Sequence, residues 1–379
     1  MDGIGIEPAG VFQGRVGDAG LSRKAWRALA VRGLDASAEL VSAGDAGVVP
    51  HLLHAGDPKL GAAVGRLVRA WSAERRLVLL GDAGAVRGAS VLGLPAGTVC
   101  ITDPDEAMRT DVAGAGLIVL GSAPWVVAAR GDLGARATRT WQVDGDGTAE
   151  TTPRRKGQRR LVIPGGADPR FVTCSPVTLA LGSLAGADPD LLVDTLHRFG
   201  AMSRGGTRAD NPALALAHLA VGLAEGPGRG APVLLVPASL LGAARHAVRV
   251  WRAFTTRPRQ VGAVRHLPAG LALTVERGDE VAASALLHGP ADVWTLQVVS
   301  PGALSTPVDE AWSQALAEAG MPTAQLRGIG GDPRGRLALV ALVTQAAVLT
   351  ALHLGLEPLA LPGADRLREV QQARGLDTH

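Results

Sequence analysis

The chain is predicted to be an α/β protein with two halves of similar size. Its 379 residues exceed the usual length of one domain, and 47% apolar against 19% charged residues are typical of a globular protein. Short apolar runs that end at a turn residue alternate with segments of helical periodicity. Such runs are typical of buried parallel strands, and their alternation with helices predicts a doubly wound fold.

The first half is predicted to begin with helices and to continue as alternating strands. Helices are expected over residues 23–40, as a cover, and over 59–73, where apolar residues recur at three- and four-residue steps. The polar, glycine-rich interval 144–160 predicts an exposed loop, with a solvated hairpin as the alternative. The apolar runs that predict strands span residues 76–81, 99–102, 117–121 and 161–165.

The second half repeats the alternation. A helical pattern from residue 175 to 199 is interrupted by Asp188-Pro189, and Asn211 is expected to cap a helix that ends near residue 223. The helical pattern over 337–354 is almost wholly apolar and is expected in the core. Further helices are predicted over 241–254 and 305–319, and strands from residue 233, over 271–276 and over 293–299.

Composition argues against several classes of function. With 38 basic and 35 acidic residues the net charge is +3, and no basic stripe with interleaved aromatics predicts nucleic-acid binding. No uninterrupted apolar run reaches the roughly 18 residues that a membrane helix needs, so no membrane association is predicted. Cys100 and Cys174 lack any CxxC spacing, and without a secretory signal they predict reduced, buried thiols in a cytoplasmic protein.

No cofactor or metal is predicted. The glycine turn after the first strand has the wrong spacing for a dinucleotide fingerprint. His51 and His54 would share one helical face, but no third ligand stands at a useful spacing. The glycine-rich segment from Gly328 predicts either an anion-binding nest or a flexible loop before a buried helix.

One segment, from Asp168 to Leu192, carries a specific motif. Its Arg170, Phe171, Ser175-Pro176 pair and the stop at Ala185–Asp188 resemble a signature of the glucose-6-phosphate isomerase family. Further landmarks follow in the order that this family has them. They are the Asn-Pro helix start at Asn211, RGAPVLLVPASLLG from Arg229, GPAD from Gly289 and LGLEPLALPGADRLREV from Leu354.

The resemblance implies the sugar isomerase (SIS) fold, with two doubly wound α/β units that each form an α-β-α sandwich. Four parts of the chain are then expected. Residues 1–58 form an N-terminal helical cover, 59–200 the first SIS unit, 201–354 the second SIS unit, and 355–379 a C-terminal motif and tail.

The resemblance also assigns catalytic positions, and most of them are altered. Interconverting glucose 6-phosphate and fructose 6-phosphate through an enediol needs a carboxylate base and a cation over the oxyanion. Arg170 matches the cation, whereas the base position holds Ala253 and the histidine position holds Glu280. The C-terminal glutamate and lysine of the family correspond to Asp365 and Arg368, which alternatively form an exposed ion pair on a terminal helix.

The substrate-binding positions implied by the resemblance are altered too. Gly81 and Gly84 keep two glycines of the first turn, but Asp82 adds a charge that opposes an anionic ligand. An ordinary strand-to-helix turn is the other interpretation of these glycines. In the phosphate loop only Ser122 supplies a hydroxyl, and Ser175 of the signature completes the candidate set.

These changes predict a family member whose active site has decayed. It would bind a sugar phosphate without catalysis, or act as a regulatory partner that associates with itself as a homodimer or with an active isomerase. The alternative is an active aldose-ketose isomerase acting on a sugar phosphate, with Glu280 or Asp365 as the base and Arg170 as the cation. A scaffold without any ligand is a third hypothesis.

Overall fold

The computed structural model describes ten segments of the chain. Within them the chain forms two five-stranded sheets with helices packed on their faces, which confirms the predicted α/β fold. The predicted division into parts at residues 58, 200 and 354 stays a prediction. The described segments are residues 4–45, 57–121, 123–144, 158–162, 170–225, 231–255, 274–276, 293–299, 315–316 and 318–355.

Helices and strands alternate through both halves. The strands are β1 (Gly5–Glu7), β2 (Leu77–Gly81), β3 (Val99–Ile101), β4 (Gly116–Leu120), β5 (Arg139–Asp144), β6 (Gln158–Val162), β7 (Ala231–Leu235), β8 (Thr274–Glu276), β9 (Val293–Val299) and β10 (Thr323–Arg327). The helices are α1 (Gln13–Val16), α2 (Arg23–Asp45), α3 (Pro58–Trp71), α4 (Ala83–Ala89), α5 (Pro104–Arg109), α6 (Pro124–Arg136), α7 (Pro176–Leu184), α8 (Pro189–Ser203), α9 (Pro212–Glu225), α10 (Leu241–Thr255) and α11 (Pro333–His353).

The first sheet is wholly parallel. Its strand order is β3-β2-β4-β5-β6, and every neighbouring pair runs in the same direction. β2 and β4 are buried along all five residues because helices cover both of their faces. This explains why their sequences are continuous apolar runs.

The second sheet repeats this plan and adds one edge strand. Its order is β1-β10-β9-β7-β8, with β1 antiparallel to β10 and the other four strands parallel. In both sheets the first four parallel strands lie in the order second, first, third, fourth. The two halves are therefore built on one topology.

Four helices begin with the same dipeptide, an aspartate followed by proline. The aspartate precedes the helix and accepts a hydrogen bond from a backbone N–H of the first turn at 2.8–2.9 Å, and the proline needs no such partner. The break predicted at Asp188-Pro189 is one of these starts. The aspartates are Asp57, Asp103, Asp188 and Asp332.

Helix α11 lies in the centre of the protein. It packs against α10, α9, α8 and α2, so it joins elements of both halves. Its 21 residues and mean hydropathy of 1.7 would suffice to cross a membrane, but 89% of its apolar window is buried inside the protein. The core helix predicted over 337–354 is confirmed.

The interval between β5 and β6 corrects the sequence analysis. A hairpin joins antiparallel strands, whereas β5 and β6 pair in parallel, so these strands are not the arms of the alternative hairpin; residues 145–157 between them lie outside the described residues. The predicted loop is also too long at its end, because β6 begins at Gln158. The predicted helix 305–319 lies mostly outside the described residues.

Candidate functional site

The first sheet has a point where the chain reverses its direction of winding. The helix after β2, α4, belongs to the large core that includes α7 and α10. Helices α5 and α6, which follow β3 and β4, pack on the opposite face in a separate apolar cluster. The crevice at the carboxyl ends of β2 and β4 is therefore the switch point at which doubly wound proteins bind ligands.

Two glycines close this crevice tightly. A Cβ atom on Gly81 would lie 2.2 Å from the carbonyl oxygen of Leu120 on the neighbouring strand. Gly121 has a φ of +99°, and a Cβ there would lie 2.9 Å from Oδ2 of Asp82. The Asp82 carboxylate makes no capping hydrogen bond to α4 and instead faces Gly121 across the mouth of the crevice. A negative charge thus stands at the switch point.

The other predicted substrate positions divide into two groups. Gly84 lies in the first turn of α4, next to the switch point. Ser175 precedes α7 and is fully buried, and its Oγ has no hydrogen-bond partner in the described part of the chain. Ser122 lies outside the described residues, as do the catalytic candidates Glu280, Asp365 and Arg368.

The structure brings Arg170 close to the helix that carries Ala253. The Cζ atom of Arg170 lies 5.5 Å from the ring centroid of Phe171 and 5.3 Å from that of Phe254, the residue after Ala253 on α10. The centroids of these two rings are 5.7 Å apart. Cation–π attraction therefore holds the guanidinium against Phe254, one residue along α10 from the position where the family resemblance implies a base.

A buried hydrogen-bond chain joins the two halves next to this point. Oγ1 of Thr173 donates to the carbonyl oxygen of Gly88 at 3.1 Å and contacts Nε2 of His246 at 3.0 Å. Because the hydroxyl has one proton, His246 satisfies the contact by donating from Nε2. Burial, followed by the charges of Arg249 and Arg87, lowers the pKa of His246 to about 4, so the ring is neutral near pH 7. We call the region of Gly88, residues 170–174 and α10 the lobe junction.

Replacing Thr173 by valine is expected to destabilise the protein by about 1–3 kcal/mol, because the His246 N–H and the Gly88 carbonyl lose their buried partner. Urea unfolding of the variant measures the change. Thr195→Val is the matched control: this threonine is also buried but donates only to Leu191 of its own helix, so a loss below about 1 kcal/mol is expected. Equal losses in the two variants would contradict the role of Thr173.

Three arginines converge on the solvent side of the lobe junction. Arg245 and Arg249 flank His246 on the exposed face of α10, and Arg87 precedes Gly88, whose Cβ position lies 2.9 Å from the His246 ring. Desolvation and then the charges of Arg87 and Arg245 lower the pKa of Arg249. Among the described residues none of the three forms an ion pair. This cluster was not predicted from the sequence, although two arginines one turn apart on the polar face of α10 could have indicated an anion-binding surface.

The glycine-rich segment from Gly328 lies at the carboxyl end of β10. A Cβ on Gly331 would lie 2.2 Å from Oγ of Ser239, which follows β7, so the segment packs against the second sheet's own loops. The carboxylate of Asp332 already accepts the hydrogen bond from Gly335 at the start of α11. In the described residues no group of three or more potential ligands is arranged for a metal ion.

Comparisons with known proteins bear on the fold. No model of a known protein family matches the chain, and no curated protein matches it. A hypothetical protein from Thermus thermophilus is similar in structure at 16% identity and a TM-score of 0.71, over 99% of this chain and 100% of that one. A glucose-6-phosphate isomerase from Chlamydia trachomatis matches at 14% identity and a TM-score of 0.60, over 83% and 73%.

A third solved structure is the C-terminal domain of glucosamine-fructose-6-phosphate aminotransferase from Francisella tularensis. It matches at 10% identity and a TM-score of 0.51, over 85% of this chain and 97% of that domain. Identities this low establish the architecture and nothing finer. The chain has the α/β fold of the sugar isomerase (SIS) type.

Proposed function

We propose that this chain is a relative of the glucose-6-phosphate isomerases that binds a sugar phosphate at the lobe junction and does not isomerise it. One observation carries the proposal: Ala253 occupies the position expected for the base, and its neighbour Phe254 contacts the retained cation, Arg170. The cation is thus kept, while the base is lost.

Isomerisation moves a proton between adjacent carbons, and this requires a group that accepts it. A methyl group accepts none. A cation positioned over an oxyanion lowers the barrier only when the proton is also removed, so Arg170 alone would act as a binding group. The likeness in fold to a glucose-6-phosphate isomerase supports a sugar phosphate as the ligand class.

Electrostatics at the lobe junction also supports an anionic ligand. The cluster of Arg87, Arg245 and Arg249 lies at the lobe junction, with Arg245 and Arg249 on the exposed side of α10. Three guanidinium groups without an ion-pair partner among the described residues attract an anion, and Arg binds phosphate oxygens through two parallel N–H donors.

Two measurements on the purified chain test the proposal. In a coupled assay of fructose 6-phosphate conversion we expect no turnover above the enzyme-free rate. Millimolar glucose 6-phosphate is expected to raise the melting temperature, because a ligand that binds only the folded state stabilises it by about 1.4 kcal/mol at roughly ten times its Kd. Arg170→Ala is expected to weaken this shift, since it removes a binding group.

The same measurements separate the alternatives. Turnover that Arg170→Ala abolishes would overturn the proposal in favour of an active isomerase, and Glu280→Gln and Asp365→Asn would then identify the base. No shift with any sugar phosphate would instead favour a scaffold. The predicted homodimer, the predicted complex with an active isomerase and the predicted cytoplasmic location stay predictions.

A further inference from the structure

The convergence of Arg87, Arg245 and Arg249 is unusual because the three residues come from different halves of the protein. Arg87 is on α4 of the first half, and the other two are on α10 of the second. A buried contact beneath them fixes their positions: Gly88 packs against Val172 and the His246 ring, and Thr173 hydrogen-bonds both Gly88 and His246. The cluster exists only because the halves dock in this way.

Such a cluster opposes its own formation. Like charges repel one another, and the described residues supply no carboxylate that pairs with any of the three. His246 beneath them is neutral and adds no charge. An anion that bridges the two halves would relieve the repulsion, and the arginines are exposed and thus free to reach it.

We infer that Arg87, Arg245 and Arg249 hold the phosphate group of the bound sugar phosphate, at the carboxyl end of α4 instead of at the switch point of the first sheet. This inference rests on the proposed function and specifies where the anion lies. The switch point is unfavourable because the Asp82 carboxylate faces Gly121 across its mouth.

Two spacings along α4 and α10 bear on where the anion and its sugar lie. Asp82 and Arg87 are five residues apart, which is about 7.5 Å along a helix axis, so an anion at the cluster meets weaker repulsion from Asp82 than one at the switch point. His246, Arg249 and Ala253 stand at i, i+3 and i+7 and therefore share one side of α10. A sugar extending from Arg249 along this side would lie toward Ala253, one turn further along α10.

Titration calorimetry with two probes, inorganic phosphate and glucose 6-phosphate, tests the inference on the full chain. Arg249→Glu is expected to raise the Kd of both probes by about tenfold or more, because a charge-assisted contact is replaced by repulsion. Asp82→Asn is expected to change either Kd by less than about threefold, since two unit charges about 7.5 Å apart in water interact only weakly. Arg66→Glu, an exposed charge reversal on α3, is the matched control and should leave both unchanged.

The outcomes are distinguishable. In one outcome, Arg249→Glu binds both probes as tightly as the wild type, and Asp82→Asn binds them at least about tenfold more tightly. This result would place the phosphate at the switch point and overturn the inference alone. Phosphate binding that Arg249→Glu loses, without any binding of glucose 6-phosphate, would overturn the proposed function and leave the arginine site. Arg245→Gln, which removes an exposed charge without reversing it, gives a second test and should weaken both probes.

Discussion

Lowering the pH from about 7 to about 5 is expected to destabilise this protein steeply, because its core holds uncharged histidines. Burial, followed by nearby positive charges, lowers the pKa of His218 to about 3. Burial is also the main cause that lowers the pKa of His246 and of His353 to about 4. In the unfolded chain a histidine has a pKa of about 6.5.

The direction of the effect follows from where protons bind. At a pH between about 4 and 6.5 the unfolded chain takes up protons that the folded chain does not, so acidification favours unfolding. The free energy of unfolding is therefore highest above about pH 6.5 and falls as the pH decreases, by up to about 1.4 kcal/mol per pH unit for each buried histidine. His218 and His246 together contribute up to about 3 kcal/mol per unit, and the partly exposed His353 adds less.

His218 offers a direct test because both of its ring nitrogens are buried without a hydrogen-bond partner in the described part of the chain. Its ring lies edge-on to His353 at 4.8 Å and to Trp26 at 6.1 Å between centroids. Protonation there would place a charge in an apolar site near Arg208 and Arg32. His218→Leu removes the titrating group and the unpaired nitrogens while keeping an apolar side chain.

We expect His218→Leu to remove up to about 1.4 kcal/mol per pH unit from the acid dependence and to be more stable than the wild type near pH 5. Urea unfolding at about pH 7.5, 6 and 5 measures how the free energy of unfolding depends on pH in the wild type and in the variant. Leu219→Val, a buried apolar change at the next position, should lower stability by a similar amount at every pH. If the free energy of unfolding of the variant depends on pH as steeply as that of the wild type, His218 is not held uncharged in the folded protein.

Local patterns predicted much of the fold because their causes are local. The apolar runs of β2 and β4, the Asp-Pro starts and the apolar α11 each reflect the burial or capping of the segment itself. Strand β5 escaped prediction for the opposite reason. Its Thr140 and Gln142 are polar yet buried, and Arg130 of the preceding helix donates to the Gln142 side chain. That partner becomes known only once the helix is packed.

Prediction of the candidate site from the sequence is limited in the same way, because some of its residues meet only when the chain is packed. A family motif led from the sequence to Arg170 and to position 253, and the structure places Arg170 against Phe254, the residue after Ala253. The arginine cluster has no such motif, because Arg87 meets Arg249 only through the packing of α4 on α10. Residues that form a site across two halves of a chain are far apart in the sequence, so neither half alone shows a recognisable motif.

Gly81, which the sequence analysis assigns to substrate binding, is expected to be indispensable for the sheet itself. A Cβ at this position would lie 2.2 Å from the backbone oxygen of Leu120 and 2.8 Å from its Cβ, and backbone in a buried parallel pair cannot move aside. We therefore expect Gly81→Ala to lower the free energy of unfolding by about 3 kcal/mol, measured by urea unfolding.

Gly61→Ala is the control, because a Cβ on Gly61 of α3 would meet nothing closer than 4.0 Å. Alanine there should stabilise the protein by about 0.5–1 kcal/mol through helix propensity. A stability of Gly81→Ala close to the wild type, with weaker binding of glucose 6-phosphate, would restore the ligand-binding interpretation. The expected loss would instead mean that this glycine persists because two strands approach closely, so its presence is no evidence that the switch point still holds a phosphate.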